Sequence, residues 1–251
     1  MTEALDALDA VSARLATVVA SLSEEQLLAP AYPSDWTIAH VLSHLGSGAV
    51  IMQQHFEDAS GGAESSPDFA QSVWDEWNAK APRQQADDVV GAIHRLNETL
   101  RALSREGREL FRLSMGPFTI DFNGFVGMRL NEATMHLWDV EVMLDPGATL
   151  TTEAVPFVVD NLDMVVRFSA KGSGDEHIVH IRTSDPHRDV AIMIGADDVT
   201  IGASTSAHEP DLKMPAESLA RLIFGRLDAS HTSAVSGSGD LEELRRTFPG
   251  L

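Results

Sequence analysis

The sequence predicts two domains, an all-α four-helix bundle over residues 1–148 and an α+β domain with a small sheet over 149–251. Three observations predict this division. Apolar residues recur at helical spacing through the first half, and they alternate at period two through much of the second. The change of period falls beside Asp145-Pro146-Gly147, a natural turn between domains.

Taken in order, residues 3–22 place Leu5, Leu8, Val11, Leu15, Val18, Val19 and Leu22 on one helical stripe. Ser23 ahead of Glu24, Glu25 and Gln26 reads as the cap of a short further turn. Pro30 and Pro33 interrupt the chain. A second helix begins at Asp35 or Thr37, either of which can cap it, and continues to about Phe56. The DASGGAESSPD stretch from Asp58 to Asp68 is a loop. A short helix over about 69–80 and a long one over 84–104 follow, with Pro82 between them. Gly116-Pro117 closes this region, and a last long helix spans roughly 122–144. Four principal helices define a bundle, whose core is a common place to build metal sites from facing side chains.

One more amphipathic helix is expected over 151–169. HIVHIRT, DVAIMIG and DVTIGAS then alternate as strands, separated by turns at Ser184-Asp185-Pro186 and Ala196-Asp197-Asp198. A helix over about 215–226, a strand over 232–236 and a terminal helix over 239–247 complete the second domain.

Composition narrows the function classes. A formal net charge of -20 repels nucleic-acid phosphates and anionic membrane surfaces, so neither is expected as a partner. No stretch approaches the roughly 18 consecutive apolar residues of a membrane span. The early acids in MTEALDALDAVSARLATVV suit an amphipathic helix rather than a basic-then-apolar signal peptide, and a soluble cytoplasmic protein is expected. The chain has no cysteine, which removes thiolate metal sites and cysteine nucleophiles. Any metal site is therefore built from nitrogen and oxygen, and any sulfur in the chemistry comes from a small-molecule thiol. Nothing in the sequence speaks to oligomeric state.

The chemistry-bearing residues are two pairs, His40 with His44 in WTIAHVLSHL, and Glu132 with His136 in RLNEATMHLWDV. Each pair is spaced four apart, so each lies on one face of its helix. Side by side, the two faces offer imidazole and carboxylate to one cation, and three ligands from this set leave a coordination position open for substrate. HxxxH alone arises often by chance, and a lone histidine on an apolar face is usually a core residue. Here an acid accompanies the histidines, and the pairs fall on separate helices of one bundle. Asp139, three after His136, is either the acceptor for that histidine's other ring nitrogen or an ordinary helix carboxylate. His55 lies three turns beyond His44, too far along the axis to share a metal. His94, His177, His180, His187, His208 and His231 show no comparable pairing.

WTIAHVLSHLGSGA followed by NEATMHLWDV resembles the N-terminal domain of the mycothiol-dependent maleylpyruvate isomerase family, one of the DinB-like metal-binding bundles. ESLARLIFGRLDA and AVSGSGDLEELRRTFPGL resemble the C-terminal module that accompanies it, an α+β domain similar to sterol carrier proteins. The resemblance covers nearly the whole chain. It implies His44, Glu132 and His136 as ligands of a divalent metal, with Zn²⁺ first among the candidates, and makes His40 a recurrent position that is not a ligand. It also implies mycothiol as cosubstrate. In the family's reaction, thiolate adds to the double bond of a cis enoyl acid, the resulting single bond rotates, and thiolate leaves to give the trans isomer.

A small anionic substrate calls for a local cation, and arginine suits carboxylates through its planar fork. Arg226 in FGRLDA is the first candidate, because the family places an arginine of the C-terminal domain near the active site; Arg129 and Arg167 are alternatives. Trp36, Trp138 and Phe122 could line a pocket, although aromatics at helical spacing are more often core, and no function is assigned to them. The expected function is isomerisation of, or thiol transfer to, a small electrophile. The alternatives are a metal-dependent hydrolase, and a non-enzymatic binding protein marked by a deep apolar tunnel within 150–251.

Overall fold

A computed structural model of the chain describes residues 2–32, 35–62, 65–115, 118–174, 176–232 and 234–250. Pro33 and Gly116-Pro117, read above as breaks, lie outside the described residues. The chain divides into two compact units, Met1–Ala154 and Val155–Leu251.

In the first unit, helix α1 (Thr2–Ser21) buries Leu5, Leu8, Val11, Leu15 and Val19. Ser23 caps α2 (Glu24–Leu28) through a reciprocal box with Gln26. The chain then folds back on itself, with the Ala31 amide donating to the Trp36 carbonyl (2.8 Å) and a β-bridge joining Pro30 to Thr37. Thr37, rather than Asp35, caps α3 (Ile38–Ala59), which runs three residues past the expected end at Phe56. Helix α4 (Phe69–Ala79) presses the Trp77 ring onto α3 at Gly46, where an added Cβ would lie 2.2 Å from ring carbons. Pro82 is the first residue of α5 (Pro82–Ala102) rather than a separator, which suits a residue without an amide proton.

A short helix α6 (Arg105–Leu110) and an antiparallel hairpin, β1 (Arg112–Met115) and β2 (Phe118–Asp121), occupy a stretch for which the sequence predicts no regular element. The Asp121 carboxylate then caps α7 (Phe122–Glu141). Helix α1 packs on α5 and α7, and α3 packs on the same two, which closes the four long helices into the predicted bundle.

In the second unit, the helix expected over 151–169 is two, α8 (Val155–Asp160) and α9 (Leu162–Ser169). The break falls at Asn161, whose side-chain amide donates back to the Phe157 carbonyl (2.9 Å), a local bond that competes with helix continuation. The three strands read from alternation are present as β3 (His177–Ser184), β4 (Arg188–Ile194) and β5 (Val199–Ala203). A strand not expected from the sequence, β6 (Leu212–Pro215), pairs parallel to β3. Helix α10 (Ala216–Ile223) follows, buried at every residue. The last strand, β7, is Ser236–Gly237, at the end of the expected 232–236, of which residue 233 lies outside the described residues. Gly237 sits at φ 129°, and a Cβ there would come within 2.1 Å of the Asp211 carbonyl, so glycine alone permits this pairing with β6. Helix α11 (Leu241–Thr247) ends the unit. The mixed five-stranded sheet has the order β5-β4-β3-β6-β7, the α+β architecture expected.

Candidate metal centre

Helices α3 and α7 run antiparallel, so residues rising along one meet residues falling along the other. His44 stands on α3 one turn beyond the Thr37–His40 cap, and Glu132 and His136 occupy successive turns of α7 facing it. The Nε2 atom of His44 lies 3.1 Å from Glu132 Oε2, and the Nε2 of His136 lies 3.5 Å from the same oxygen. One donor atom from each of the three residues falls within 4.8 Å of the others, and among the described residues this is the group able to hold a metal ion. His44 and Glu132 keep 36% and 45% of their side-chain surface, so the cluster is open on one side.

The electrostatics fit a cation. Burial works against ionising Glu132, yet its hydrogen bonds with His136 and His44 outweigh it and hold the carboxyl below its usual range. Burial also works against protonating His136, and its bonds with Asp139 and Glu132 outweigh that and raise its pKa. Two imidazole nitrogens aimed at one carboxylate oxygen need protons between them. A divalent ion at that point replaces those protons with a metal charge and satisfies all three donors at once.

Asp139 is fully buried, and its Oδ2 accepts from His136 Nδ1 at 2.8 Å. Of the two readings the sequence allowed, this selects the orienting one: Nδ1 is occupied and Nε2 points at the cluster. His40 is exposed and turned away. Its Nδ1 accepts the Thr37 amide at 3.4 Å, so its task is to complete the cap of α3. His55 lies eleven residues beyond His44, about 16 Å along a helix axis.

Of the aromatics, Trp138 and Phe122 are core, as expected. Trp36 is not. It is 37% exposed, with its ring 5.2 Å from His44 and stacked at 19° to His136, 6.3 Å away. Arg129, one turn before Glu132, is fully buried, and Arg167 stands exposed on α9. Arg226 belongs to the second unit, where it is 9% exposed and donates from Nη1 to the Phe224 carbonyl at 2.8 Å. Beside it, Arg221 and Glu217 form a buried pair at 2.7 Å that the sequence reading passed over.

No helix among the described residues is long and apolar enough to cross a membrane. Residues 8–141 match the family described as the mycothiol maleylpyruvate isomerase N-terminal domain. Among solved structures, the chain is similar to the mycothiol-dependent maleylpyruvate isomerase, with TM-score 0.63 and 14% identity over 90% of this chain and 89% of the other. A mutant of that enzyme gives TM-score 0.63 and 13% identity over the same shares. At such identity the likeness speaks to the fold. No curated protein matches the chain.

Proposed function

From the premise that this chain belongs to the mycothiol maleylpyruvate isomerase family, we propose that it is a metal-dependent enzyme acting with an exogenous low-molecular-weight thiol, mycothiol. The reaction is cis–trans isomerisation of, or S-transfer to, a small electrophilic substrate of the maleylpyruvate kind. The observation that carries this reading is the convergence of His44, Glu132 and His136 on one point with a side left open.

A divalent cation held by these three residues, Zn²⁺ first among those that accept imidazole and carboxylate, supplies the charge that keeps a thiol ionised at neutral pH. The chain's own groups have narrower tasks. Asp139 keeps the Nδ1 proton of His136 and so fixes which ring nitrogen faces the cluster. Glu132, held in its ionised form, supplies the only negative charge of the triad. Trp36 lays an apolar wall beside both histidines and limits how much water reaches them. The chain has no cysteine to compete for the cation, which suits an external thiol. The arginine that the family resemblance offers for a substrate carboxylate is Arg226, within the second unit.

The binding-protein alternative asks for a deep apolar tunnel in the second unit. Among the described residues, the pocket between α8, α9 and the β4–β5 edge holds about 230 Å³ and has Asp160, Asp163 and Arg188 in its lining. That is smaller than a site for a drug-sized apolar ligand, about 300–1,000 Å³, and a second pocket of about 350 Å³ in this unit is lined by the charged Lys171, Glu243 and Arg246, so neither has the apolar lining such a tunnel needs.

The test is metal analysis of the purified protein, followed by turnover of a small panel of cis enoyl acids and other electrophiles with and without mycothiol. One metal per chain and turnover that requires the thiol are expected. Metal with thiol-independent turnover would replace this reading with the hydrolase, and a metal-free protein would sink both.

A further inference from the structure

One helical turn from the triad lies a charged group that the chemistry above does not use. Arg129 precedes Glu132 by three residues on α7, and Gly48 follows His44 by four on α3, so both stand on the faces that carry the ligands. The Arg129 side chain is 1% exposed. Its Nη2 donates to the Leu45 carbonyl at 3.2 Å, and its Nε has no partner among the described residues. Burial pushes its pKa down to about 10 while Glu132 pulls the other way, so the group remains a cation at neutral pH. Removing a charge from water without a full set of partners is costly, and a bundle core has no packing need for it.

Gly48 explains what the charge faces. A Cβ there would meet Arg129 Nη1 at 3.7 Å and, among the described residues, nothing else within 4 Å. The contrast is Gly46, two residues earlier, where the Trp77 ring fills the space at 2.2 Å and packing demands glycine. At Gly48 packing demands nothing. The missing side chain leaves a notch, half-exposed at Gly48 and floored by the Nη1 of a buried cation.

We infer that Arg129 and Gly48 form an anion-binding notch beside the metal centre, in which Nη1 holds a carboxylate of the electrophilic acid. This rests on the metal and thiol reading proposed above. The carboxylate gives Nη1 an acceptor on its open side, and it is drawn into a protein of net charge -20 by a local field opposite to the global one. Arg129 would then hold the acid beside the triad, from a position one helical turn before Glu132 on α7.

The experiment uses two thiols of equal reach, β-mercaptopropionate and the neutral mercaptopropanol, titrated into cobalt-loaded full-length protein and followed by sulfur-to-cobalt absorption. The parent protein should prefer the acid by tenfold or more, against its own net charge. Arg129→Met should abolish the preference while the neutral thiol still binds. Gly48→Ala places a methyl at ordinary contact distance and keeps the helix, so its melting temperature should hold or rise while its affinity for the acid alone falls. Equal affinity of the parent for both thiols, or an unchanged preference in Gly48→Ala, would overturn the notch and leave the metal reading standing. If neither thiol reaches the cobalt, the metal and thiol reading fails, and the notch fails with it.

Discussion

The helix pair α3 and α7 meets at two levels of opposite character. At one, Phe56 of α3 faces Phe122 and Phe125 of α7, and Phe111 closes the group; ring centroids lie 5.2 to 6.5 Å apart and every ring is at most 4% exposed. At the other, twelve residues back along α3 and roughly 18 Å away, His44, Glu132 and His136 stand partly open, joined by polar contacts and flanked on one side by the Trp36 ring. The same two backbones thus carry a packed level and a reactive one. The phenylalanines are held by close contact on all sides and gain from every neighbour. The triad is held by three atoms aimed at a shared point, an arrangement that no packing rule favours and that a cation would complete.

The largest effect that tests this separation is a double dissociation. Phe125→Ala should cost about 3–5 kcal/mol of stability, the usual penalty for a buried phenylalanine, and leave metal stoichiometry unchanged below its lowered melting temperature. Glu132→Ala should do the reverse, leaving the melt of the metal-free protein little altered and emptying the site on metal analysis. A Phe125→Ala protein that folds but binds no metal would show that the two levels are one cooperative site.

A smaller effect sharpens the reactive level. Asp139→Asn keeps the shape of the buried side chain and removes the charge that the Nδ1 proton of His136 faces. Metal affinity should fall by about 10–100-fold, as losses of such supporting carboxylates do, and chelator competition measures it directly. Unchanged affinity would mean that Asp139 serves the fold alone.

The two levels were unequally legible from sequence. Helical spacing was enough to bring Glu132 and His136 to one face of their helix, and the capping pattern narrowed the start of α3 to Asp35 or Thr37. A spacing of four also paired His40 with His44. Only the structure shows that His40 turns back to its own cap. Trp36 could be pocket lining or core on the sequence alone, because its position depends on a loop closed by the Ala31–Trp36 hydrogen bond, which no period reveals. Arg129 read as one arginine among several, since full burial of a charge depends on what neighbouring helices enclose. In the second unit, β6 is four residues ending at Pro215, and Asn161 splits a helix through one side-chain bond; both are set by partners distant from or invisible to the alternation rule.

The smallest effect is the most specific to the ligands themselves. In the metal-free protein, the depressed Glu132 pKa adds stability that is fully present above the ordinary value of 4.5 and is lost as pH falls through its folded pKa. The raised His136 pKa adds stability that is fully present below 6.5 and is lost as pH rises through its folded pKa. Their joint contribution is therefore greatest between 4.5 and 6.5 and declines on either side. It is modest, because Glu132 and His44 keep 45% and 36% of their side-chain surface and water screens them. Metal binding has the opposite trend, since it requires imidazole without its proton and so strengthens with pH. Thermal melts of the metal-free and metal-loaded forms should then separate progressively as pH rises above that window. A gap that stays constant through the titration of His136 would mean that this histidine yields no proton to the metal, and would strike it from the ligand set.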